Sequence, residues 1–448
     1  MTRFRFVHAA DIHLGYQQYN LDARANDFAR AFLDVVEYAR EEHVDFVLLA
    51  GDLFHRSSAD AWMLKQATHG LHLLREVDIP IVAVEGNHDT QHTRKNLSWM
   101  EYLCDQDLLC LLNVQVAANN YSSLAPFDPQ ERRGSWIDLA GARIYGMKYY
   151  GAATPRLLEN VRQDLVAGPA GYTIAMLHAG IEGQVPHLHG GLTLGQLEPL
   201  RSNVDYIALG HVHKRLAMDD WIFNPGSTET NSMEEAEWPH GFFDVRVDTE
   251  SHPKHQVIAV GTPQLRPFHR ISIAADGSES LDRFVESVEE TIGGHGSIPE
   301  KAVIELQLGG IAGFKRQDLP IERLRSVVEG RFSPLTVRVR NNLVPPGLVT
   351  APRGERLRRA EVERSVIEQL VHQRAEYRAN VAAWTGLVLD VKNMAAGRDT
   401  PAHIADHVRE SLCKMSAAEP VDRNDVIPVE DEPLGGEPPC YAHLFEDW

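Results

Sequence analysis

Phe6-Val7-His8-Ala9-Ala10 runs straight into Asp11-Ile12-His13, and this junction sets the reading of the whole chain. A short apolar run reads as a buried strand. Here it stops on two residue types that bind divalent cations. Residues two apart on extended backbone point the same way, so Asp11 and His13 can face one site. Four more junctions of this kind follow. Val47-Leu48-Leu49-Ala50 leads into Gly51-Asp52, and Ile81-Val82-Ala83-Val84 leads, after Glu85, into Gly86-Asn87-His88-Asp89. Ile174-Ala175-Met176-Leu177 leads into His178, and Ile207-Ala208-Leu209 into Gly210-His211-Val212-His213.

In open α/β sheets, ligands bind at the carboxyl ends of strands. Five such ends on one sheet would gather their side chains on one rim, with Gly51, Gly86 and Gly210 letting the chain turn just before a ligand. The candidate ligands are Asp11, His13, Asp52, Asn87, His178, His211 and His213, a set of oxygen and imidazole donors without cysteine. That mixture suits manganese or iron better than a thiolate zinc site. Seven ligands are too many for one ion and fit two that share a carboxylate. Paired cations ~3.5–4 Å apart polarise a phosphate and activate a water, so no side-chain nucleophile is required. A lone D-x-H or G-D is weak, and a single His after a strand is usually structural. G-N-H-D and G-H-x-H are more specific, and the ordered series of five is hard to obtain by chance.

Amphipathic segments lie between the apolar runs. Phe28, Phe32, Val35, Val36 and Ala39 share one helical face, and 60–76 reads as a helix. Further strands are expected at 143–147, 172–177, 206–209 and 221–223. Strands interleaved with helices predict an α/β domain over 1–262. A second unit, 263–346, shows a βαβαβ pattern: strands near 270–274, 301–308 and 335–339, and helices carrying Leu281, Phe284, Val285, Val288 and Ile292 and then spanning 321–329. Pro345-Pro346-Gly347 reads as its linker. Helices are expected within 354–415, first over 354–389 and then over 400–412. The last segment, 416–448, is proline-rich and acidic and reads as disordered.

The net charge is 44 − 63 = −19. A strongly acidic chain argues against a polyanionic partner when taken as a whole. From Glu419 to Trp448, however, nine acids against one Arg give −8, which leaves −11 on the rest. Bound divalent cations would offset part of that charge where it matters. The four cysteines, 104, 110, 413 and 440, form no C-x-x-C pair, so neither a disulfide scaffold nor a zinc module is expected. The start does not read as a signal peptide, and no run of about 18 apolar residues predicts a membrane span. A reducing cytoplasm is the expected compartment.

These motifs resemble the calcineurin-like metallophosphoesterases. The nearer likeness is to DNA double-strand-break repair nucleases of the SbcD and meiotic-recombination-eleven type. It is carried by His8-Ala9-Ala10-Asp11-Ile12-His13-Leu14-Gly15-Tyr16, Ala50-Gly51-Asp52-Leu53-Phe54-His55, Leu209-Gly210-His211-Val212-His213-Lys214-Arg215 and Asn224-Pro225-Gly226-Ser227. It is strong over about 1–250, architectural over 263–344 and weak beyond 354. One departure is Leu177-His178-Ala179-Gly180, where the family often has Leu-His-Gln-Gly. The resemblance implies a four-layer α/β sandwich with a small capping domain and C-terminal helices. It implies Asp11, His13 and His213 on one metal, Asn87, His178 and His211 on the other, and Asp52 bridging. His88 would face the scissile phosphate, Asp89 would orient it, and His55 would help place the nucleotide. His187 and His189 fall outside the motif and read as loop residues.

The same likeness implies a two-metal, manganese-dependent exonuclease or endonuclease acting on DNA, a homodimer, and an SbcC-type coiled-coil ATPase as partner. The dimer would use helices near 62–76 and 94–103, with Met63, Leu71, Leu74, Leu97, Trp99, Met100 and Leu103 divided between core and interface. No G-x-x-x-x-G-K-[ST] loop occurs, so any ATP dependence belongs to the partner, which the helices of 354–415 are candidates to dock. Lys214, Arg215, Arg338 and Arg340 are candidate phosphate contacts. Two rivals stand beside this reading. One is a phosphoesterase for a small or protein substrate, which would need neither the second unit nor the C-terminal helices. The other is a silent DNA-end scaffold, which should lack at least one ligand.

Overall fold

A computed structural model gives the architecture. It describes residues 2–58, 60–90, 97–116, 122–185, 191–345, 359–397 and 399–417. Residues 1–343 form one compact unit and 344–448 a second.

The first unit is built on two six-stranded sheets. In one, β1 (Arg3–Ala9), β2 (Phe46–Leu49) and β3 (Ile81–Ala83) run parallel in that order. The strand Gly241–Asp248 pairs antiparallel with the other edge of β1, from Arg3↔Asp248 to His8↔Phe243. The second sheet has Ala142–Met147, Tyr172–His178, Tyr206–Gly210 and Ile222–Asn224 as parallel neighbours, with antiparallel strands at its two edges. Phe4, Phe6, Phe46 and Leu48 from the first sheet pack with Ile144, Ile174, Tyr206 and Phe223 from the second. The rings of Phe6 and Phe46 stack at 5.0 Å, and Tyr206 meets Phe6 edge-on at 5.3 Å. A parallel strand buried on both faces carries an unbroken apolar run rather than an alternating one, which is why these runs stand out in the sequence.

Helices cover the outer faces and complete four layers. α1 (Asp22–Glu41), α2 (Ala61–Arg75) and α3 (Trp99–Asp105) close the first sheet. Phe32, Val35, Val36 and Ala39 of α1 bury against Val7, Val47 and Leu71. Each of the latter two helices starts on a side-chain cap. Asp60 accepts from the N–H groups of Trp62 and Met63, and Ser98 and Glu101 form a capping box. Of the residues divided above between core and interface, Met63, Leu71, Leu74, Met100 and Leu103 are core and Trp99 packs against it. Leu97 stays out at 57% exposure, as does Trp62 of α2. Residues 94–96 lie outside the described residues.

The remainder of this unit is a three-stranded parallel sheet, Phe268–Asp276, Val303–Ile311 and Thr336–Asn341, with helices Leu281–Gly294 and Ile321–Phe332. It has its own core, including Phe284, Val288, Ile304, Leu306, Leu324 and Val328. Arg266 ties it to α1, where both oxygens of buried Asp27 accept from its guanidinium at 2.8 and 2.6 Å.

In the second unit the helix expected over 354–389 is two helices. Arg374 is extended (φ −90°, ψ 118°), and a 3-10 turn separates Arg359–Gln373 from Val381–Ala396. A third helix spans Pro401–Ala417. No helix among the described residues is long and apolar enough to cross a membrane. Most of the acidic segment, 418–448, and the loop holding His187 and His189 lie outside the described residues.

Candidate metal centre

The five strand ends converge, but from two sheets rather than one. Asp11 and His13 follow β1, Asp52 follows β2, and Asn87 and His88 follow β3. His178 closes the strand Tyr172–His178, and His211 and His213 follow Tyr206–Gly210. Facing sheets direct their carboxyl ends to one edge of the sandwich, which is what brings residues 200 positions apart together.

Backbone bonds fix the approach. Asp11 N–H donates to Gly51 O at 3.1 Å, and His13 N–H donates to Asp52 O at 3.0 Å. The N–H of His211 sits 3.0 Å from both oxygens of Asp11, joining the sheets. At four of the seven candidates the turn is taken by the residue itself. Asp11, His13, Asp52 and His211 all have left-handed backbone, with φ of 53°, 54°, 54° and 88°. Gly51 shares it, but Gly86 and Gly210 are needed for space instead. A Cβ on Gly86 would lie 1.9 Å from Asp52 Oδ1, and one on Gly210 would lie 2.2 Å from Ala50 O.

Two sets of donors result. In one, ligand atoms of Asp11, His13 and His213 lie within 4.8 Å of one another. His13 Nε2 faces His213 Nε2 at 3.1 Å. In the other, Asn87 Oδ1 lies 3.2 Å from His178 Nε2 and 2.9 Å from His211 Nδ1. Asp52 Oδ2 sits between the sets, 3.3 Å from His178 Nε2 and 4.0 Å from His13 Nε2. His178 Nδ1 donates to Ala50 O at 2.7 Å, which leaves Nε2 directed at the site.

Charge in the site follows from burial and from these neighbours. Burial opposes the Asp52 carboxylate, yet His178 and His13 hold it well below the usual carboxylate range. Burial equally opposes a charged His178, but Asp52 prevails and raises it to about 9. Burial pushes Asp11 up to about 6, drives His13 well down, and lowers His211 to about 4 with help from charged His178. A buried carboxylate thus keeps one imidazole protonated, a proton that must leave when cations bind. The donor set fits two divalent cations: oxygens and imidazole nitrogens only, converging from opposite sides, with two imidazole nitrogens facing each other.

His88 lies at the rim. Its N–H donates to Asp52 Oδ1 at 2.9 Å, its Nδ1 is 2.6 Å from His55 O, and its ring is 4.9 Å from that of His13. Asp89 does not orient it. The Asp89 carboxylate folds under the loop to accept from the N–H groups of Gly86, Leu53 and Phe54 at 3.0, 3.3 and 2.9 Å, so it ties the β2 and β3 ends together. Burial and nearby Asp52 raise it to about 7. His55 stacks on Tyr16 at 3.8 Å, and burial and His88 lower it to about 4.

Motif reading missed three neighbours. The Tyr149 ring lies 5.1 Å from His211 and 6.1 Å from His178. Tyr16 backs His55, and Glu235 Oε1 accepts from His213 Nδ1 at 3.0 Å. Tyr16 lay within a quoted motif, whereas no sequence signal marked Tyr149 or Glu235. The Asn224-Pro225-Gly226-Ser227 stretch is structural: buried Asn224 donates to Val212 O at 2.7 Å, between the two histidines. Arg215 is turned inward, donating to Pro225 O and Val260 O, and is no phosphate contact. Lys214, Arg338 and Arg340 are exposed.

Residues 4–215 match the calcineurin-like phosphoesterase family, and this stretch of the chain is a calcineurin-like metallophosphoesterase domain. Among individual relatives, the chain is 34% identical over 241 residues to the DNA double-strand break repair protein Mre11 of Archaeoglobus fulgidus, covering 52% of each. With the protein of the same name from Aeropyrum pernix it shares 25% identity over 344 residues, 73% of this chain and 76% of that one. It is 30% identical over 258 residues to YhaO of Bacillus subtilis, an uncharacterized metallophosphoesterase, covering 52% of this chain and 55% of that one. The chain spans about half the length of the Archaeoglobus and Bacillus relatives.

Proposed function

We propose that this chain is a two-metal DNA nuclease of double-strand-break repair. The carrying observation is the convergence of Asp11, His13, Asp52 and His178, all buried, with half-buried Asn87, His211 and His213, and with His88 at the rim. The likeness to proteins named for this repair supplies the substrate. In this reading Asp11, His13 and His213 hold one cation, Asn87, His178 and His211 the other, and Asp52 lies between them. Two bound cations, manganese by preference, would polarise a phosphodiester and lower the pKa of a water.

The chain's own residues supply the rest. His88 binds the His55 carbonyl through Nδ1–H, so Nε2 is the atom that handles the proton of the leaving oxygen. His55, stacked on Tyr16, offers a flat side to a nucleotide. Exposed Lys214 and Arg338 are candidate phosphate contacts. Exposed Trp62 and Leu97 are candidates for a homodimer contact, and the helices between 359 and 417 are candidates for docking an SbcC-type ATPase.

The test is cleavage of end-labelled duplex DNA with manganese, alone and with such an ATPase. Asp52→Ala, a chelator and a nitrophenyl phosphodiester run alongside. Shortening that requires metal and Asp52 supports the nuclease. Hydrolysis of the ester with DNA left intact would favour a small-substrate phosphoesterase, and metal binding without any cleavage would favour a scaffold.

A further inference from the structure

Glu234 and Glu235 are consecutive residues of a short 3-10 turn, Met233–Glu235, anchored by buried Met233. They face opposite ways. Glu235 is largely buried, with 12% of its side chain exposed. Its Oε1 accepts from His213 Nδ1 at 3.0 Å, and its Oε2 accepts from Asn231 N–H at 3.1 Å. The opposite nitrogen of the same ring, His213 Nε2, faces His13 Nε2. Glu234 points away, toward the three-stranded unit. Its Oε1 accepts from Arg340 at 2.7 Å and lies 3.5 Å from Arg270.

A neutral imidazole carries one N–H. A carboxylate at Nδ1 places it there, leaves the lone pair on Nε2, and fixes the ring plane. His213 comes from the loop after Tyr206–Gly210, and nothing else described binds its Nδ1. We propose that Glu235 is a positioning residue that sets the tautomer and orientation of His213. We further propose that Glu234, gripped by Arg340 and Arg270, holds the turn in register, so that placement of the three-stranded sheet bears on the metal site. The inference rests on the two-metal reading.

The experiment titrates the metal-free chain with manganese, following stoichiometry and affinity by calorimetry. Imidazole 15N shifts of the metal-free protein are recorded in parallel. Wild type should bind two ions. Glu235→Ala should weaken one of them by roughly 10-fold or more, leave the other within about twofold, and shift the His213 signals toward the Nε2–H form. Glu235→Gln retains an acceptor for Nδ1–H and should recover most of the loss. Glu234→Gln should weaken the same ion by a smaller factor. Two tight ions and unchanged shifts in Glu235→Ala would overturn the proposal. So would a Glu235→Gln variant as impaired as Glu235→Ala in both readouts. If Glu235→Ala does not fold, the glutamine variant and its 15N shifts decide. A wild type that binds no manganese would instead sink the two-metal reading, and that outcome is distinct from the others.

Discussion

Four candidate ligands, Asp11, His13, Asp52 and His211, sit in left-handed backbone, a conformation that costs a non-glycine residue roughly 1–3 kcal/mol. The surrounding bonds, Asp11 to Gly51 and His13 to Asp52 among them, hold them there. Asn tolerates this conformation nearly as well as Asp. Asp52→Asn should therefore fold with a melting temperature close to wild type. It should lose manganese affinity and DNA cleavage by at least the roughly 100-fold that disturbing a group behind a ligand can cost. Calorimetry and an end-labelled cleavage assay check both halves. A second residue-scale prediction concerns His8, fully buried outside the ligand set. Its Nε2 donates to Leu209 O at 3.0 Å, its Nδ1 accepts from Tyr206 Oη at 2.9 Å, and burial lowers its pKa to about 3. Unfolded, the ring titrates near 6.5. Between those values the unfolded chain binds a proton that the folded one refuses, so stability is full above about pH 6.5 and is lost as the pH falls toward 3. The limit is on the order of 5 kcal/mol. Denaturant midpoints between pH 7 and 4 should fall more steeply in wild type than in His8→Leu. Parallel curves would exclude this role.

Elements explain what the sequence reveals. Strands buried on both faces carry unbroken apolar runs, so β1 to β3, Tyr172–His178 and Tyr206–Gly210 all stand out, and the ligand at each end follows by position. Which sheet a strand joins is not written in such a run, because Ile174 and Val47 are equally apolar. The expectation of one sheet rim therefore gave way to two facing sheets. Glu235 left no signal for a related reason: it lies in a 3-10 turn rather than at a strand end, and it meets His213 only through a contact across 22 residues. Gly86 was legible as a glycine but misread as a turn. Its role is the 1.9 Å that a Cβ would leave to Asp52 Oδ1. Gly86→Ala should displace that carboxylate and at least halve the manganese stoichiometry, whereas a turn-only role would leave metal content intact.

For the whole molecule, the βαβαβ pattern was legible because amphipathic stripes and strands alternate cleanly over 263–344. Its attachment was not, since it depends on charges distant in sequence. Arg24 is fully buried and binds Asp27 at 2.7 Å and Glu229 at 3.2 Å, while Asp27 also receives Arg266. Buried pairs add little net stability, but removing one partner strands the other. Asp27→Ala should cost about 3–5 kcal/mol in denaturant unfolding. Arg266→Ala leaves Arg24 in place on Asp27 and should cost less. The order in which the chain is made adds a different constraint. β1 lies between β2 and Gly241–Asp248, so during synthesis it keeps one edge bare until a strand about 230 residues later arrives. At 5–20 residues per second that wait is roughly ten to fifty seconds, and His13 waits almost as long for His213. An unpaired edge is a template for another chain. Nascent chains stalled before residue 241 should therefore be cut by protease within β1, and those in which Gly241–Asp248 has cleared the ribosome protected. The newborn protein, rather than the finished one, is the form that most needs a chaperone.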